Sequence, residues 1–264
     1  MDEPPPPIVE YQDEFARIER AVDAGDTDLA GLGFWKMVRR IKVERPLADH
    51  WAEVAGRIDR KAFEGRVRVR LPVWLGNGVL VVGTAALLVV TAIAVGLARP
   101  APPSDAASTA DQQWAGALVL VAGIGLAVSV HALAHWAVGR AGGIRFLAYF
   151  LGGPLRLQPG LKIDYASYLR AGPGARAAMH AAGAVASKLA PFVIFAWAYL
   201  AHRAAGYRLL PEWSLWALLG FGVLQVITDV AWSTRFSDWK KVRRELRVRR
   251  AIESARVGAR HTSV

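Results

Sequence analysis

The chain has 264 residues, 53% of them hydrophobic, and carries 33 Lys and Arg against 22 Asp and Glu for a net charge of +11. A mean hydropathy of +0.24 is too apolar for an average soluble domain, and with so many cations it fits a small integral membrane protein with basic cytoplasmic segments. The absence of cysteine excludes disulfides and thiolate metal sites, and the cations cluster beside apolar stretches rather than among aromatic stacking positions, which argues against nucleic acid as a partner.

Residues 1–9, beginning Met1-Asp2-Glu3 with four prolines after them, are acidic and proline-rich. That is the reverse of a basic leader followed by an apolar stretch, so disorder and no cleaved signal are expected. From Glu10, the apolar positions Tyr11, Phe15, Ile18 and Val22 recur at helical spacing among charged residues. A second helix is expected from about Leu29 to Lys42, ended by Pro46, and a third carries Trp51, Val54, Ile58 and Ala62 on one face. The mixture of acids and bases makes residues 1–70 a small cytoplasmic helical region, whose faces can pack on each other, lie on the membrane or bind a cytoplasmic protein partner. Arg66-Val67-Arg68-Val69-Arg70 alternates strictly, as a short strand or extended lead-in does, and its arginines mark the cytoplasmic side of the first span.

Residues 72–98 are long enough to cross a bilayer, with Trp74 at the interface, and the proline-bearing stretch 99–112 reads as an outer loop. A second span, about 114–138, returns to Arg140 and Arg145. Residues 143–170 are too short and broken to span as a helix. Ile144–Leu151 and Leu161–Tyr165 are extended in character, with turns at Gly152-Gly153-Pro154 and Gln158-Pro159-Gly160, so a cytoplasmic β-hairpin is expected. A third span of about 175–201 holds His180, Ser187 and Lys188, and a fourth runs from Trp213 to about Trp232. The exit, Arg235 to Arg250, is heavily basic; an odd number of spans would leave it outside, so four fits. The expected fold is therefore an α-helical integral membrane protein with four transmembrane helices, a short cytoplasmic β-hairpin after the second and a small N-terminal helical region. The divisions fall at 1–70, 71–236 and 237–264, in the cell (plasma) membrane with lipid around the spans and both termini cytoplasmic.

The second span contains Ser129-Val130-His131-Ala132-Leu133-Ala134-His135-Trp136. Two histidines four residues apart share one helix face within reach of a single metal ion, and polar side chains in an apolar span are expensive enough to point to function. Bonds to neighbouring helices, or a place near the headgroups, are the competing explanations of the pair.

This layout resembles the membrane core of the site-two protease family, the intramembrane zinc metalloproteases. In that family a HExxH helix is followed by a cytoplasmic hairpin, a helix with an Ala-Gly-Pro-x-Ala-Asn type motif and a further helix carrying an aspartate ligand. Residues 114–240 follow that order. His131 and His135 match the motif histidines, while Ala182-Gly183-Ala184-Val185-Ala186-Ser187 matches the second motif with Ala184 in place of proline and Ser187 in place of asparagine. The resemblance implies zinc as cofactor and a transmembrane peptide or protein as substrate, with Ser187 and Lys188 beside it. Three roles are open to Lys188: neutralising a carboxylate, contacting a substrate carbonyl, or snorkelling to the interface. Asp229 and Asp238 compete as third ligand. Asp229 is preferred for its depth in the fourth span, because Ser237-Asp238 looks like a helix N-cap.

The decisive departure is Ala132, which stands where the family has the glutamate that takes the proton from the metal's water. No glutamate in the spans replaces it, and Asp164 in the hairpin is a weak stand-in. The sequence thus points to a site-two-protease-like zinc protein, a pseudoenzyme or an impaired hydrolase, that binds transmembrane peptides. The alternative is a non-catalytic membrane binding or regulatory protein that recruits a cytoplasmic partner through its N-terminal helices.

Overall fold

A computed structural model describes residues 8–97, 110–152, 158–205, 209–231 and 237–261. In chain order the described elements are α1 (Ile8–Asp23), α2 (Phe34–Ile41), α3 (Arg45–Arg66), β1 (Arg70–Pro72), α4 (Val73–Leu97), α5 (Ala110–Ala141), β2 (Phe146–Gly152), β3 (Gln158–Ile163), α6 (Tyr165–Arg170), α7 (Pro173–Ala205), α8 (Glu212–Ala231) and α9 (Asp238–His261). The protein is mostly helical, with one small antiparallel sheet. Most of the expected N-terminal tail, most of the loop after the first span, the Gly153-Pro154 turn and Arg235 lie outside the described residues. The chain divides into two compact units, one built from Met1–Val73, Gly139–Ala177 and Arg243–Val264, the other from Trp74–Val138 and Ala178–Val242.

The first unit gathers the charged helices. The helical spacing of α1 turns Phe15 and Ile18 inward, where they meet Phe34 and Ile41 of α2, Trp51 and Ile58 of α3 and Leu169 of α6 in one buried cluster. Phe15 stacks on Trp51 with ring centroids 5.0 Å apart. Pro46 was expected only to break the second helix; it also starts the third, because a proline in the first helical turn lacks only an amide that would have no partner there. The hairpin is present as β2 and β3, and β1 adds a third strand in the order β1-β2-β3, with Leu71 opposite Tyr149 and Tyr149 opposite Leu161. The strand begins at Arg70, and Val67 to Val69 take no regular form.

Carboxylates buried in this unit are paired, as burial demands. Lys162 donates to Asp59 at 2.6 Å, and Asp164 accepts from Arg145 and Arg60. Glu245 of α9 takes Lys42 at 2.7 Å, Arg176 at 2.6 Å and the Tyr168 hydroxyl at 3.0 Å. Burial pushes the Glu245 carboxyl up, but the charges of Lys42 and Arg176 outweigh it and hold the group below the usual carboxylate range.

The second unit is apolar. Among the described residues, three helices are long and apolar enough to cross a membrane: Val73–Gly96, Ala110–Ala141 and Pro173–Ala205. Val119, Leu126, Ile194, Ala198 and Leu218 form its core. Gly123 permits the approach of Leu218, whose Cδ1 lies 2.5 Å from where a Cβ would stand. Val82, Val89, Val121, Val193, Leu200 and Ile227 are exposed, a surface suited to lipid chains rather than water. Exposed Trp114 and Trp216, with Trp213 donating to Gln113 at 2.6 Å, put aromatic side chains at the starts of α5 and α8.

Candidate metal centre

The site lies within the second unit and draws on three helices. In α5 the four-residue spacing brings His131 and His135 to one face, with their Nε2 atoms 3.1 Å apart. Asp238, the first residue of α9, places Oδ2 at 3.1 Å from His135 Nε2 and 3.4 Å from His131 Nε2. These three residues form a group able to hold a metal ion. From α7, the Met179 carbonyl, Ser187 and Gly183 border the two rings.

The surrounding hydrogen bonds fix what the three atoms offer. His135 Nδ1–H donates to the Met179 carbonyl at 2.7 Å, so Nε2 of the neutral ring carries a lone pair. The Ser187 hydroxyl donates to the Ala184 carbonyl at 3.2 Å, which leaves its oxygen to accept from His131 Nδ1–H at 3.4 Å. Both imidazoles therefore turn lone pairs toward each other and toward a carboxylate oxygen. Three electron-rich atoms so close repel unless a cation lies among them. A proton satisfies one edge of the triangle, whereas a metal ion satisfies all three.

The donor set and its dimensions fit zinc. With ligand distances of about 2.0–2.1 Å, a tetrahedral site has donor–donor edges of about 3.3 Å, and the edges here are 3.1, 3.1 and 3.4 Å. Asp238 is held from its other oxygen, where Lys241 donates to Oδ1 at 2.9 Å and His180 Nδ1 stands 3.8 Å away. Burial works to raise this carboxyl and the charge of Lys241 to lower it, and the group stays well below the usual carboxylate range. It is an anionic donor.

Of the residues expected from the sequence, His131 and His135 converge, and Ser187 stands behind His131. Asp229 does not join them. Its carboxylate pairs with Lys188 at 2.5 Å, so of the three roles open to Lys188 the structure has the first, neutralising a carboxylate. Ser187 and Lys188 are adjacent on α7 and point about 100° apart, which sends one toward α5 and the other toward α8. Asp238 takes the third place that depth counting had given to Asp229. Ser237-Asp238 does begin a helix as expected, with Ser237 at the cap position, where its carbonyl accepts from the Lys240 and Lys241 amides. Asp238 follows it, with its side chain free to face the histidines. Asp164, the weak stand-in for the missing base, is buried in the first unit with two arginines.

One contributor escaped the sequence, the Met179 carbonyl, which leaves no trace in residue type. His180, read from the sequence with His131, His135 and Asp229 as a possible cation path, stands beside Asp238. No family model matches the chain, and neither a curated protein nor a solved structure does so.

Proposed function

We propose that this chain is a divergent membrane-embedded metal protein of the site-two-protease type, which holds zinc through His131, His135 and Asp238 and binds a transmembrane peptide without cutting it efficiently. The observation that carries the reading is the triangle of two Nε2 atoms and Oδ2, with Nδ1 of each ring given a separate acceptor. Three protein ligands leave the fourth tetrahedral position open, as hydrolytic sites do. Bound zinc would supply Lewis-acid activation of a water there. Position 132 follows His131 directly, and its methyl group can neither take a proton from that water nor return one to a leaving amine.

In this reading α8 is the fourth span, supported by its 20-residue length and its exposed Trp216, Leu224 and Ile227. Both termini then lie in the cytoplasm and the spans in the plasma membrane, and the basic content of α9 supports that orientation. The same alanine favours a second reading, in which the protein only binds membrane partners and its N-terminal helices recruit a cytoplasmic one.

The test is metal content of the purified full-length protein together with cleavage of a model transmembrane peptide. About one zinc per chain is expected, lost in His131→Ala and His135→Ala, with cleavage undetectable until Ala132→Glu is introduced. Absence of zinc from carefully prepared wild type removes the metal reading. Zinc without cleavage in both forms favours the second one.

A further inference from the structure

Helix α9 has two chemically distinct faces. Asp238, Val242 and Glu245 point into the protein, and the last two are buried. On the opposite side, Lys240, Arg243, Arg244, Arg247 and Arg250 recur at i, i+3, i+4, i+7 and i+10, one stripe about 15 Å long. All five are exposed, and none has an ion-pair partner among the described residues. The cations off the stripe behave differently: Lys241 pairs with Asp238, and Arg249 with Glu253 at 2.7 Å. Ala251 and Ser254 continue the stripe without an acid. Five like charges aligned and left unneutralised cost stability through mutual repulsion, so an external anionic surface is what relieves them.

We infer that this stripe docks on the anionic headgroups of the bilayer in which the spans sit. The helix starts seven residues after Ala231, the end of an apolar helix, which keeps its first turns within reach of the membrane surface. A row of cations without interleaved aromatic side chains suits lipid phosphates and lacks the stacking positions of a nucleic-acid surface. The inference rests on the membrane reading of the spans and is independent of the metal.

The chain has no cysteine, so Ala251→Cys gives one labelling site beside the stripe. The full-length protein, carrying an environment-sensitive fluorophore there, is placed in nanodiscs of phosphatidylcholine alone or with about one-third phosphatidylglycerol, each containing a headgroup nitroxide lipid. Strong quenching is expected only in the anionic discs at about 0.1 M salt, falling to the neutral level at about 0.5 M. Each change among Lys240→Gln, Arg243→Gln, Arg244→Gln, Arg247→Gln and Arg250→Gln should lower the docked-to-free ratio about fivefold. Equal quenching in both compositions overturns the inference, as does a response to added RNA that exceeds the response to anionic lipid. Failure to enter discs of either composition overturns the membrane reading, and this one with it.

Discussion

Gly183→Ala is the sharpest perturbation of the metal centre, because it adds one methyl group and removes no ligand. A Cβ at this position would stand 2.5 Å from both Cδ2 and Cε1 of His135, and closer still to Nε2. Unstrained carbon contacts lie at about 3.5–4.0 Å, so the imidazole must retreat by roughly 1 Å or α7 must move away from α5. Either movement exceeds the tolerance of about 0.2 Å within which a metal–ligand distance is held. It also stretches the 2.7 Å bond from Nδ1 to the Met179 carbonyl that sets the tautomer. Disturbing an outer partner of a ligand costs about 10–100-fold in metal affinity; displacing the ligand itself should reach at least the upper figure, about 2.7 kcal/mol.

The measurement is competition for zinc against a chromophoric chelator in detergent. Gly220→Ala serves as the matched control, since nothing lies within 4 Å of a Cβ there. The control should bind zinc as wild type does, and both variants should keep wild-type far-ultraviolet circular dichroism. A folded Gly183→Ala protein whose zinc affinity stays within about threefold of wild type refutes the placement of His135 as a ligand packed against this glycine.

Asp238→Asn should abolish stoichiometric zinc, whereas Asp229→Asn should keep it and instead lower thermal stability by on the order of 2 kcal/mol by leaving Lys188 unpaired; metal analysis and melting curves separate the two. Glu245→Gln should destabilise the first unit by about 3–5 kcal/mol, since Lys42 and Arg176 would stay buried without their anion, and hydrogen exchange across α2 and α6 reads the loss. Glu19, hydrogen-bonded by Arg57 against the opposing effect of burial and helped by Lys61, has its carboxyl lowered from 4.5 to about 2. Its folded value lies below its unfolded one, so its contribution is full above about pH 4.5 and fades as the pH falls toward 2. The difference in α1 amide exchange between wild type and Glu19→Gln should shrink across that window.

The fold was legible where periodicity and length speak: the 25-residue run of α4, the inward Phe15 and Ile18 of α1, and the extended stretches that became β2 and β3. The third strand was half visible, since alternation from Arg66 to Arg70 signalled extension but not a partner. Burial of Leu169 against α1, α2 and α3 was not legible, because a six-residue helix carries no periodic signature and the contact crosses more than a hundred residues of chain. At the site the histidine pair was plain, since its two members sit on one element and their spacing alone sets their geometry. The third member of the cluster had to come from another helix, and counting along the chain measures depth without azimuth. Asp229 and Asp238 both satisfied the depth argument, and only the direction of each side chain separates them: one toward a lysine on α7, the other toward two imidazoles. That direction depends on helix rotation set by packing, which position along the chain does not record. A charge pattern could have revealed it. Asp238 and Glu245 are seven residues apart and face away from the stripe of Lys240, Arg243, Arg244 and Arg247, so the cations marked the outward face and the two acids the inward one.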